Sequence, residues 1–72
     1  MDQAFEMDAA ARKLRELRVA KGKTVCQMSD ETGLGRTAIT NYENGIRTPK
    51  DAVKVKLARY FEKSVDEIFF SA

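Results

Sequence analysis

Arg36, Thr37, Thr40, Asn41 and Asn44 place five hydrogen-bonding side chains in one short stretch of chain. Wound as a helix at about 100° per residue, they fall within one arc of roughly 140°, with Ala38, Ile39 and Tyr42 on the other side. The chemistry such a face can do is recognition. An arginine can bridge O6 and N7 of guanine, an asparagine N6 and N7 of adenine, and a threonine methyl can touch the thymine methyl. Any solvated helix turns polar residues outward, so the weight of this reading rests on the elements that would hold the face in place.

Those elements can be read from local signals. Before the polar helix, Thr24 and Gln27 have the spacing of a capping box, which predicts a short helix over 25–32 with Val25 and Met28 facing inward and Ser29 closely packed. Gly33-Leu34-Gly35 then forms a glycine turn between two short helices, the expected form of a helix-turn-helix. The polar helix is expected over 36–44, weakly capped by Gly35 and ended by Gly45. Upstream, Asp8 is the expected N-cap of a first helix reaching Lys21, with Ala10, Leu14, Leu17 and Ala20 as its apolar stripe and Gly22 as its stop. Downstream, Thr48 as N-cap and Pro49 at the first helical position predict a fourth helix to about Glu62, with Val53, Leu57 and Phe61 at i, i+4, i+8. Ser64 and Glu67 make a second capping box ahead of Ile68, Phe69 and Phe70, which predicts a short fifth helix. The expected fold class is therefore all-α, one five-helix domain.

Composition narrows the function. With 72 residues, 43% apolar and 33% charged, the chain suits one small globular domain. A deep pocket with a catalytic apparatus is hard to build at this size. There is no histidine, and Cys26 is the one cysteine, so cysteine/histidine zinc sites and imidazole-based hydrolysis lack their groups. No enzyme, cofactor, metal or small-molecule ligand is expected. Cys26 is read as a plain packing or surface thiol. No apolar run is long enough for a membrane span, and the acidic start Met1 to Asp8 does not resemble a signal peptide, so a cytoplasmic location is expected. Between Gly33 and Tyr60, Arg36, Arg47, Lys50, Lys54, Lys56 and Arg59 outnumber Glu43 and Asp51, a balance that suits a phosphate backbone.

The runs Leu14-Arg15-Glu16-Leu17-Arg18, Gly33-Leu34-Gly35-Arg36-Thr37-Ala38-Ile39, Tyr42-Glu43-Asn44-Gly45-Ile46-Arg47-Thr48-Pro49 and Ser64-Val65-Asp66-Glu67-Ile68-Phe69 resemble the phage-repressor or Cro-type (XRE family) helix-turn-helix domain over roughly the last three-quarters of the chain. The resemblance implies a lambda-repressor-like domain that binds double-stranded DNA with its third helix in the major groove. It assigns base contact to Arg36, Thr37, Thr40 and Asn41, and backbone contact to Asn44, Arg47, Thr48 and Lys50. It also implies an ion pair between Arg18 and Glu43 that fixes the first helix against the third. The chain departs from the family pattern at Val25, where a phosphate-binding glutamine is usual, leaving Thr24 or Gln27 as substitute anchors. It departs again at Gly35 for the usual serine and at Glu62 for the usual glycine.

The function the resemblance implies is a transcriptional regulator of bacterial or phage origin, a repressor binding a palindromic operator as a homodimer. An antitoxin of the same fold, whose main partner is a toxin, is the alternative. Phe69 and Phe70 are neighbours on a short helix, so one is expected in the core and Phe70 is the candidate dimer contact. Residues 1–8 are expected to form a short flexible extension, within which Phe5 could pack back, and residues 9–70 the DNA-binding domain.

Overall fold

The computed structural model describes the backbone of residues 2–70 and the side chains of residues 9–70. Among these residues the secondary structure is entirely helical: α1 (Asp2–Ala20), α2 (Val25–Thr32), α3 (Arg36–Glu43), α4 (Asp51–Phe61) and α5 (Asp66–Phe70), the last wound as a π-helical turn. The core is one cluster of Leu14, Met28, Ile39, Leu57, Ala58, Phe61 and Ile68, so every helix contributes at least one buried side chain. Half-buried Leu17, Val25, Leu34, Tyr42, Val53, Val65 and Phe69 pack around it.

The short middle helices follow the expected bounds because their signals are local. Thr24 accepts the Gln27 amide at 3.1 Å and Gln27 Oε1 accepts the Thr24 amide at 2.9 Å, closing the capping box that starts α2. The Ser64–Glu67 box closes in the same way, at 3.1 and 2.9 Å. Hydrogen bonds from Ser64, its backbone amide acting most strongly and its side chain next, hold the Glu67 carboxyl below its ordinary pKa.

Three expectations give way in the structure. Asp8 is not an N-cap: the helix runs through it from Asp2. Gln3, Ala4, Glu6 and Met7 are good helix formers, and nothing between Asp2 and Asp8 breaks the backbone. The Phe5 side chain lies outside the described residues. On the inner stripe of α1, Ala11 is buried and Ala20 is exposed, because Gly22 turns the chain away just beyond it. At the other correction, α4 begins at Asp51, with Lys50 rather than Thr48 at the cap and no side-chain cap bond. Its first helical bond runs from the Lys54 amide to the Lys50 carbonyl at 2.8 Å. Pro49 is buried instead in a groove with Ala10, Ala11, Leu14 and Phe69, and that packing holds it off the helix.

α4 ends on Glu62 in the left-handed region at φ 55°, and Glu62 is the one residue other than glycine with positive φ among those described. A side chain there crowds its own carbonyl at a cost of roughly 1–2 kcal/mol, part of which a glycine returns as unfolded-state entropy. Glu62→Gly is therefore expected to raise stability by about 0.5–1 kcal/mol. Thermal melts check this: an unchanged or lower midpoint would show that Glu62 carries no strain.

Candidate nucleic-acid interface

The helix-turn-helix is held from within. Gly33 takes φ 79° to cap α2, and its amide bonds the Ser29 carbonyl. The Ser29 hydroxyl donates to the Leu34 carbonyl at 2.6 Å, and the Thr32 hydroxyl donates to the Met28 carbonyl at 2.7 Å. The Leu34 amide in turn donates to Thr32 Oγ1 at 3.2 Å. The turn is thus tied at both ends by side chains, which fixes α3 relative to α2.

α3 buries Ile39 and leaves Arg36, Thr37, Thr40 and Asn44 exposed on its outer face, with Asn41 half-buried at the edge. The Asn41 carbonyl accepts the amides of Ile46 at 3.0 Å and Arg47 at 3.3 Å, so the chain leaving α3 is held close to the helix end. Arg47, Thr48 and Lys50 follow, all exposed, in the connection to α4. Thr24 and Gln27 are exposed at the start of α2, where their side-chain oxygens are taken by the cap. What this end offers an anion is the first-turn amides of Val25 and Cys26, which have no helical acceptor. Cys26 is an exposed free thiol.

Arg18 and Glu43 form a bidentate pair, Nε to Oε2 at 2.7 Å and Nη2 to Oε1 at 3.1 Å. The third guanidinium nitrogen donates to the Lys23 carbonyl at 2.9 Å. The side chains are only 13% and 7% exposed, and the pair clamps α1 to the last turn of α3. The hydrogen bond to Glu43 raises the Arg18 pKa above its ordinary value, against the opposing effect of burial.

The structure adds groups that helical spacing did not single out. Glu31 accepts from the Tyr60 hydroxyl at 2.6 Å and pairs with Lys23 at 2.9 Å, linking α2 to α4 and to the α1–α2 turn. The hydrogen bonds from Tyr60 and Lys23 lower the Glu31 pKa, while burial, aided by Glu31, pushes the Tyr60 hydroxyl up to about 12. Lys54 lies 5.6 Å over the Phe69 ring and 5.1 Å over the Phe70 ring, a cation–π clasp between α4 and α5. Phe69 packs on the core, and Phe70 is 66% exposed at the rim of the groove that holds Pro49. On α1, Arg12 and Arg15 line an open notch beside Asn44. Their spacing with Arg18 at intervals of three residues was the available signal.

Among the described residues there is no cluster of acidic, histidine or cysteine side chains that could hold a metal, and no helix is long and apolar enough to cross a membrane.

Comparison with known proteins agrees with this geometry. A curated relative, the cryptic phage CTXphi transcriptional repressor RstR of Vibrio cholerae serotype O1, is 39% identical over 56 residues, covering 78% of this chain and 50% of the relative. The chain therefore spans half the length of that relative. No solved structure matches this chain significantly. Residues 14–68, which run from the first core leucine of α1 to the core isoleucine of α5, match the helix-turn-helix family, and the chain belongs to that family, in its phage-repressor (XRE) form.

Proposed function

We propose that this chain is a DNA-binding transcription regulator that sets α3 in the major groove, and that it represses by occupying a palindromic operator as a homodimer. The observation that carries the reading is the outer face of α3. Arg36, Thr37 and Thr40 are exposed there, and Asn41 lies at its edge, on a helix whose opposite side is anchored by Ile39 and whose end is clamped through Glu43. Arg36, Thr37, Thr40 and Asn41 are the base readers in this reading. Asn44, Arg47, Thr48 and Lys50, with the start of α2 at Thr24 and Gln27, hold phosphates on either side. The 39% identity to a phage transcriptional repressor supports the same direction. Bound at an operator, a domain of this kind acts sterically, by denying polymerase the site.

Selection of binding sites from random duplex DNA at two salt concentrations tests the reading. An enriched inverted repeat that survives the higher salt is the expected result. Salt-sensitive binding with no enriched sequence would leave a basic surface and no reader. Arg36→Ala is expected to cost about 1–3 kcal/mol of binding and to relax preference at one base position. Lys50→Ala is expected to weaken all sequences alike and to reduce the salt slope by about 0.9. An even loss across sequences for Arg36→Ala would remove it from base reading.

For the dimer, the supporting observation is Phe70, an exposed aromatic at the edge of an apolar groove. A two-fold interface places the same patch on both copies. Phe70→Ser is expected to leave the melt nearly unchanged, losing only its contact with Lys54, and to weaken self-association in sedimentation. Unchanged association would take Phe70 out of the interface.

A further inference from the structure

Arg12 and Arg15, which border a notch on α1, have no role in the assignments above. The notch is an open cavity of about 280 Å³ lined by Ala11, Arg12, Arg15, Glu43 and Asn44, where α1 crosses the end of α3. Its floor is the small Ala11 side chain, and two exposed guanidinium groups border it. No ion pair engages Arg12 or Arg15 among the described residues. The carboxylate that faces them is not available to pair with them. Both oxygens of Glu43 accept from Arg18, at 2.7 and 3.1 Å, and the side chain is 7% exposed. Glu16 follows Arg12 on the wheel, on the side away from Arg18, and does not line the notch.

Two arginines that form no ion pair among the described residues thus stand beside Asn44, which shares the outer arc of α3 with Arg36, Thr37 and Thr40. The end of α3 contributes a partial negative charge of about half a unit, which the two full guanidinium charges exceed. Guanidinium groups suit phosphate oxygens in particular, because their planar fork can donate two parallel hydrogen bonds.

We propose that Arg12 and Arg15, together with Asn44, form a phosphate-binding notch that carries the DNA footprint from α3 onto α1. The proposal rests on the reading of α3 as the groove-binding helix. The notch lies at the C-terminal end of that helix, where Glu43 and Asn44 line it. A DNA backbone running past the end of α3 meets Asn44 first and the two arginines next. The contact carries no base information, so it adds affinity to every sequence equally.

The test is fluorescence anisotropy of the full chain on a labelled random-sequence duplex across a salt series. Non-specific binding isolates the phosphate contribution. For Arg12→Gln/Arg15→Gln the slope of log affinity against log salt is expected to become shallower by about 1.8, one counterion-release increment of about 0.9 per arginine. The deficit relative to the parent chain then grows roughly tenfold between about 200 mM and 50 mM salt. The charge-keeping variant Arg12→Lys/Arg15→Lys is expected to retain the parental slope. If the glutamine variant keeps the parental slope, the notch does not hold phosphate and the reading of α3 stands. If the lysine variant loses the slope as well, the effect is not one of charge and the proposal fails. If the parent chain itself binds no duplex, the reading of α3 fails and takes the notch with it.

Discussion

Glu43→Ala is expected to destabilise the domain by about 3 kcal/mol, which strands the Arg18 guanidinium without its acceptor. The Arg18 side chain is 13% exposed, so little water can replace the two lost bonds, at 2.7 and 3.1 Å. A domain of this length has roughly 4–10 kcal/mol in all, and a loss of 3 lowers the melting midpoint by about 12–24 °C. The pair itself adds little net stability, because both charges lose hydration on burial. Arg18→Met/Glu43→Leu is therefore expected to melt within about 1 kcal/mol of the parent chain. Thermal melts of the parent, Arg18→Met, Glu43→Leu and Arg18→Met/Glu43→Leu make a complete cycle, with Glu43→Ala measured beside it. If the double variant is as unstable as Glu43→Ala, the loss comes from the clamp itself and not from an unpaired charge. That result would make the pair a true stabiliser of the α1–α3 junction.

Ile39→Ala is the second large effect, at about 3 kcal/mol. Ile39 is 1% exposed and sits in the cluster with Leu14, Met28, Leu57 and Ile68, so truncation leaves a cavity that neighbours on four other helices can only partly fill. The adjacent residue gives the contrast. Thr40 is exposed, and Thr40→Ala is expected to stay within about 0.5 kcal/mol of the parent in stability. Its effect should appear in DNA binding instead. Measured at low temperature, where Ile39→Ala remains mostly folded, that variant is expected to bind close to normally while Thr40→Ala does not. Equal binding losses for the two variants would show that the inner and outer faces of α3 are not separable. The division of α3 into an anchoring side and a reading side would then be wrong.

The two experiments probe the same design at different places. α3 presents hydrogen-bonding side chains outward because Ile39 anchors it from below and Glu43 anchors it at its end. Neither anchor needs to touch DNA, yet each decides where Arg36 and Asn41 lie. The exposed residues contribute little to stability.

What the chain's sequence determined by itself is what depends on residues three or four apart. The bounds of α2, the glycine turn at 33–35, both capping boxes and the division of α3 into two faces all follow from such spacings, because caps, turns and helical faces are local. The Arg18–Glu43 pair spans 25 residues and was anticipated only through family resemblance, since no local rule links its ends. Tertiary structure alone decided the rest. Pro49 left the start of α4 because the groove against α1 and α5 buries it. Tyr60 found Glu31 across 29 residues, and Arg12 and Arg15 came to lie beside Asn44. Helical periodicity tells which way a side chain points from its own axis. The partner it meets is set by how the helices cross, and that crossing is decided by the packing of the whole core.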